Sequence, residues 1–157
     1  MARLTLHPIA RDGAVPDFGA RLPPQAAEVC TTFIAMYAKS GHVPPWVGHL
    51  VSHSGVCIGT CAFTSAPKEG RVEIAYFTFP DFEGRGYATE MAQQLVALAA
   101  ETDPAVLVFA HTLPQENAST AILRKLRFTL KGAIEHPEDG VIWEWNAPRG
   151  HDQGDQS

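Results

Sequence analysis

The sequence contains no apolar run approaching the ~20 residues that span a bilayer, so neither a membrane helix nor a membrane partner is expected. Cysteine is scarce. Cys30, Cys57 and Cys61 make an odd number, unlike the even framework of a small secreted scaffold. On one regular strand Cys57 and Cys61 would share a face yet stand ~13 Å apart, beyond disulfide reach. Their spacing, with scattered histidines, matches no zinc pattern, so buried thiols and no metal are expected. Basic residues are in the minority, 12 Lys+Arg against 17 Asp+Glu, for a formal net charge of −5. That balance argues against a nucleic-acid partner and mildly favours a cationic one. The opening residues run into His7-Pro8 and Arg11-Asp12 rather than a signal-peptide core, so a soluble cytoplasmic protein is the expectation.

What is present suffices for one domain: 157 residues, 45% of them hydrophobic, can bury roughly 70% of the unfolded surface. Leu4-Thr5-Leu6 reads as a short strand. Pro23-Pro24 opens a helix to Lys39 with Ala27, Cys30, Ile34 and Ala38 on one face, closed by Ser40-Gly41 and Pro44-Pro45. Residues 46–53 and 56–65 form a hairpin around Ser54-Gly55, and residues 71–79 add a third antiparallel strand. From Ala88 the helical period of Met91, Leu95, Leu98 and Thr102 takes over until Asp103-Pro104. A buried strand over 105–110, a helix over 117–126 and closing strands over 127–135 and 141–146 follow. Residues 1–146 are thus read as a single domain and 147–157 as a flexible polar tail.

Between the third strand and the helix stands Gly84-Arg85-Gly86. Glycines at a helix start let backbone N–H groups approach an anion closely, and the helix dipole adds about half a positive charge there. Alone, the turn is equally a plain connection. A nucleotide-binding module is disfavoured, because the Walker lysine and the third Rossmann glycine are both missing.

A longer set of motifs is more specific: Val72-Glu73-Ile74-Ala75-Tyr76, Pro80, Gly84-Arg85-Gly86-Tyr87-Ala88-Thr89-Glu90, Asn117-x-Ser119, and Leu123-x-Lys125-Leu126-x-Phe128. In this order, across residues 46–146, they closely resemble the GNAT superfamily of acetyl-CoA-dependent N-acetyltransferases, and within it the ribosomal-protein N-terminal acetyltransferases. Two positions depart from the family pattern. Glu83 places a carboxylate where Gln or Arg is usual, and Arg127 replaces a glycine before Phe128.

The resemblance implies an α/β (α+β) fold: a mixed central sheet, flanked by helices, whose antiparallel N-terminal meander gives way to parallel, splayed strands. It also implies acetyl-CoA as cosubstrate. Backbone groups of Phe77, Thr78 and Phe79 would bond the pantetheine arm, which requires a bulge near Tyr76-Phe77 to free donors. Backbone N–H groups of Arg85, Gly86, Tyr87, Ala88 and Thr89 would hold the pyrophosphate. Acetyl transfer needs a neutral amine; at pH 7 a lysine amine is neutral about once in 2,500 molecules and an α-amine about once in ten. Glu73 is the first candidate for general base and His111 the second, set against a Glu73–Arg71 ion pair and a structural histidine. Ser119 would donate a hydrogen bond to the departing sulfur and Asn117 would hold pantetheine, or both would simply cap a helix. The partner is an amine-bearing acceptor. Its pocket is expected between the helix over 24–39, the loop 42–46 and the hairpin near His136, with Trp46, Trp143 and Trp145 lining it or filling the core. The other reading is a non-catalytic acyl-CoA-binding domain with a degenerate site. Pairing through the last two strands makes a homodimer conceivable.

Overall fold

A computed structural model describes residues 4–16, 18 and 22–148. In chain order the elements are β1 (Thr5–Pro8), α1 (Pro24–Ser40), β2 (Gly48–His53), β3 (Val56–Phe63), β4 (Arg71–Thr78), a 3-10 turn (Pro80–Phe82), α2 (Tyr87–Thr102), β5 (Leu107–Thr112), α3 (Ala118–Lys125), β6 (Thr129–His136) and β7 (Gly140–Asn146). The strands form one sheet in the order β1-β2-β3-β4-β5-β7-β6. Only β4 and β5 pair in parallel, across the α2 crossover; the other neighbours are antiparallel. This is the mixed sheet that the sequence motifs imply.

Helices cover the sheet unequally. On one face α2 and α3 bury Met91, Leu95, Ala99 and Leu123 against Ile74, Val108 and Trp145. On the other, α1 packs Ala26, Cys30, Phe33 and Tyr37 against Val47, Leu50 and Ala62 of the β2–β3 side. Of the expected stripe Ala27, Cys30, Ile34 and Ala38, only Cys30 is buried; the buried face otherwise follows Ala26, Phe33 and Tyr37, and Ile34 is left 42% exposed. Beyond α1, the same sheet face leaves Ala75 and Phe77 exposed and Glu73, Phe109 and His111 half-buried.

The β2–β3 register shifts between Val51↔Gly59 and Ser52↔Cys57, so Ile58 is an extra residue in β3. The bulge reverses the alternation: Cys61 packs with the α2 side and Cys57 with the α1 side, where a regular strand would put both on one face. All three thiols are free and buried. Gly59 is required here, since a Cβ would stand 2.3 Å from the Phe77 carbonyl oxygen.

After α3 the chain keeps the left-handed cap expected of glycine, with Arg127 at φ 68°. Phe128 N–H reaches Leu123 C=O and Arg127 N–H reaches Arg124 C=O, the two bonds of a Schellman ending. Past β7, Ala147 is buried and its N–H bonds Val108 C=O at 2.9 Å, so the packed domain extends beyond Asn146. Of the tail expected over 147–157, residues 149–157 lie outside the described residues. Among the described residues, no helix is long and apolar enough to cross a membrane.

Candidate active site

Strands β4 and β5 pair at Arg71↔Leu107, Val72↔Val108 and Glu73↔Phe109, and then part, although both continue. Thr64 N–H bonds Glu73 C=O and Phe79 N–H bonds Ile58 C=O, both on the β3 side. Backbone polarity alternates along a strand, so Glu73, Ala75, Phe77 and Phe79 address β3 while Ile74, Tyr76 and Thr78 face the gap. The expected bulge at Tyr76-Phe77 is not there: β3 and β4 pair regularly from Ile74 to Thr78. Open donors arise from strand divergence instead. Thr78 keeps its expected orientation, Phe77 and Phe79 turn their backbone groups to β3, and Tyr76, overlooked in the sequence, opens onto the gap.

A groove of about 840 Å³ continues the gap between the end of β4, the start of α2 and one side of α3. Gly86 caps α2 in a left-handed conformation without a side-chain bond, and its carbonyl accepts from Glu90 N–H. Helix geometry leaves the N–H groups of Tyr87, Ala88 and Thr89 without intrahelical partners, and all three residues line the groove. Gly84 and Gly86 have positive φ, and a Cβ on either would meet nothing within 4 Å, so the turn is open to an approaching anion. Arg85 extends over the Phe82 ring, 5.8 Å from its centroid. Glu83 lines the groove as well. The Tyr87 hydroxyl lies 3.2 Å from His53 Nδ1, tying the helix start to the β2–β3 hairpin.

Glu73 and His111, taken from different strands, are in contact. Glu73 Oε2 lies 3.4 Å from His111 Nδ1, and the Thr64 hydroxyl donates to Glu73 Oε1 at 3.2 Å. His111 belongs to β5 itself, two residues past its last pair with β4. Its Nε2 faces Glu144 Oε1 at 3.1 Å, and Arg71 donates to Glu144 Oε2 at 2.8 Å. Arg71 thus pairs with Glu144, leaving Glu73 to His111 and Thr64. The side chains of Glu73, His111 and Glu144 are 29%, 18% and 17% exposed, so solvent screens this chain of contacts only partly. Glu144 was not singled out in the sequence; its alternation partner Trp145 was, and only the β5–β7 register brings Glu144 opposite His111.

On α3 the structure separates two residues that the sequence grouped. Asn117 Oδ1 accepts from Thr120 N–H at 3.1 Å and Thr120 Oγ1 accepts from Asn117 N–H at 2.9 Å, a reciprocal capping box. Asn117 Oδ1 thereby serves the helix start, while Ser119 lines the groove. The Tyr76 side chain lines it too, and burial pushes its phenol up to about 12, so it stays protonated. Of the regions expected to frame an acceptor, the last hairpin brings His136 to 6.2 Å from the His111 ring. Trp46 and Trp145 are core, the first stacked edge-on to Phe63 and the second fully buried.

No curated protein sequence matches the chain. Among solved structures, an aminoglycoside acetyltransferase AAC(6')-Ib in complex with coenzyme A aligns with TM-score 0.70 at 18% identity, over 99% of this chain and 100% of that one. The ribosomal L7/L12 alpha-N-protein acetyltransferase RimL in complex with coenzyme A aligns with TM-score 0.65 at 15% identity, over 91% of this chain and 92% of that one. An acetyltransferase from Agrobacterium tumefaciens str. C58 aligns with TM-score 0.62 at 25% identity, over 92% and 90%. At such identities the first two likenesses speak for the fold. The sequence itself matches the acetyltransferase (GNAT) domain over residues 3–129, and the chain therefore belongs to the GNAT acetyltransferase family.

Proposed function

We propose that this chain transfers an acetyl group from acetyl-CoA to a primary amine by direct attack on the thioester. One observation carries the reading: the β4–β5 pairing stops at Glu73↔Phe109, and the gap beyond it opens into a groove ending at the uncapped start of α2. The coenzyme A in the two neighbouring structures agrees with it. When bound, acetyl-CoA supplies a thioester carbon open to attack and a thiol leaving group.

The residues fit such a ligand. N–H groups of Tyr87, Ala88 and Thr89 and the α2 dipole bind the pyrophosphate. Backbone groups of Tyr76 and Thr78 bond the pantetheine arm in strand fashion, and one N–H polarises the thioester carbonyl. Glu73 and His111, at the vertex of the gap, take the proton that the amine must lose. His111, flanked by two carboxylates, can donate from one ring nitrogen while accepting at the other. Ser119 or the Tyr76 phenol donates a hydrogen bond to the departing sulfur.

Glu83 favours a second reading, an acyl-CoA-binding domain without turnover, because its carboxylate lines the groove beside the phosphate turn. The melting midpoint with acetyl-CoA, CoA or ATP tests the cosubstrate. Ligand at 100 times its Kd adds ~2.7 kcal/mol, roughly 5–11 °C at this size. A rise with acetyl-CoA and not with ATP supports both readings, and thiol release with an added amine selects the first. No rise at millimolar acetyl-CoA refutes both.

A further inference from the structure

The half of the sheet face that α1 leaves uncovered has a composition that discriminates among amines. Along β4 the side chains on this face are Arg71, Glu73, Ala75 and Phe77, and Phe77 is 51% exposed. Strands β4, β5 and β7 contain two acidic residues, Glu73 and Glu144, and both belong to this face. Glu144 is matched by the guanidinium of Arg71 at 2.8 Å, and that guanidinium is held 4.2 Å above the Phe109 ring centroid. On these strands an arriving ammonium meets one carboxylate without a permanent counter-cation, Glu73, then apolar surface on one side and the Arg71 guanidinium on the other. We propose, resting on acetyl transfer at this gap, that the acceptor is a monoamine with an apolar group beside its nitrogen, and that Arg71 is the specificity-determining residue that turns polyamines away.

The physical basis is repulsion as much as fit. A second ammonium of the acceptor placed near Arg71 meets a like charge whose own carboxylate, Glu144, is already matched, a contact that lowers affinity for the wrong partner. An apolar substituent instead covers Ala75 and the exposed Phe77 ring. Removing the guanidinium frees Glu144 for a second cation, and because Glu144 also contacts His111 the readout is the ratio between amines rather than the rate with either one.

The test compares kcat/KM for pentylamine against 1,5-diaminopentane, and for 2-phenylethylamine against ethylamine, at fixed acetyl-CoA. The wild type should prefer the monoamine by about tenfold, the scale of one unfavourable charge contact. Arg71→Gln should bring that ratio within about twofold by raising diamine use. Phe77→Ala should reduce the phenylethylamine preference while leaving the diamine ratio as in the wild type, which keeps the idea testable if Arg71→Gln does not fold. Equal or better use of the diamine by the wild type, with transfer readily measured, overturns the acceptor class alone. A protein that binds acetyl-CoA and acetylates none of the four amines but does acetylate a peptide N-terminus overturns the acceptor class alone, and one that acetylates neither overturns acetyl transfer with it.

Discussion

Glu73 Oε2 stands 3.4 Å from His111 Nδ1, across the last paired rung of β4 and β5. Two candidate bases are therefore one unit, with Glu144 on the far side of the imidazole. Groups that act together lose activity non-additively. Glu73→Gln and His111→Asn should each lower kcat, and the double variant should lose far less than the product of the two losses. Fully multiplicative losses in a steady-state comparison would show that the residues act independently.

The capping box at the start of α3 predicts the opposite of a cofactor role for Asn117. Asn117→Ala removes the bond to Thr120 N–H and should destabilise the fold by about 1 kcal/mol, a fall of about 2–4 °C in the melting midpoint. Acetyl-CoA affinity, titrated well below that midpoint, should stay within about twofold. A selective loss of affinity with an unchanged midpoint would return Asn117 to the site.

Gly59 couples the β3 bulge to the strand that borders the gap. In Gly59→Ala the new methyl would fall 2.3 Å from the Phe77 carbonyl oxygen and 2.8 Å from the Met91 methyl, so β3 and β4 must separate. Overpacking of this kind costs about 1–3 kcal/mol. The variant should melt earlier and bind acetyl-CoA more weakly, because Tyr76 and Thr78 move with β4. Wild-type stability and binding would show that the strands tolerate the shift.

His49 makes the fold sensitive to acid. It is 3% exposed with Nδ1 unpartnered, and burial, reinforced by His7, lowers it from 6.5 to about 4. Its side chain stays neutral in the folded chain while the unfolded chain takes up a proton near pH 6.5. The contribution is therefore complete above pH 6.5 and declines as pH falls towards 4, by about 3 kcal/mol in all. Denaturant titrations from pH 7.5 to 4.5 should show this decline, and His49→Gln should flatten it. Parallel slopes in the two proteins would assign the acid sensitivity elsewhere.

Much of this architecture is legible in local sequence. Gly84-Arg85-Gly86 before a helical period marks the start of α2, and the apolar run ending at Ala110 marks a buried parallel strand. The phase of α1 was less accessible, because Ala27 and Ile34 satisfy the same helical period as Phe33 and Tyr37 and only the sheet decides between them. The Ile58 bulge, which sends Cys57 and Cys61 to opposite faces, leaves no residue-level mark beyond Gly59. Glu73 and His111 could each be named from the chain, but not their contact, and Glu144 depends on a β5–β7 register between residues 33 apart in sequence. Asn117 and Ser119 share a motif, yet capping geometry turns one into the helix start and leaves the other facing the groove.

The most direct test of acetyl transfer assisted by the Glu73–His111 pair is the rate of thiol release from acetyl-CoA with a saturating monoamine, in the wild type and in Glu73→Gln. Loss of a general base of this kind should lower kcat about 10²–10⁴-fold, with the acetyl-CoA-induced rise in melting midpoint unchanged. Equal turnover in the two proteins would contradict the account.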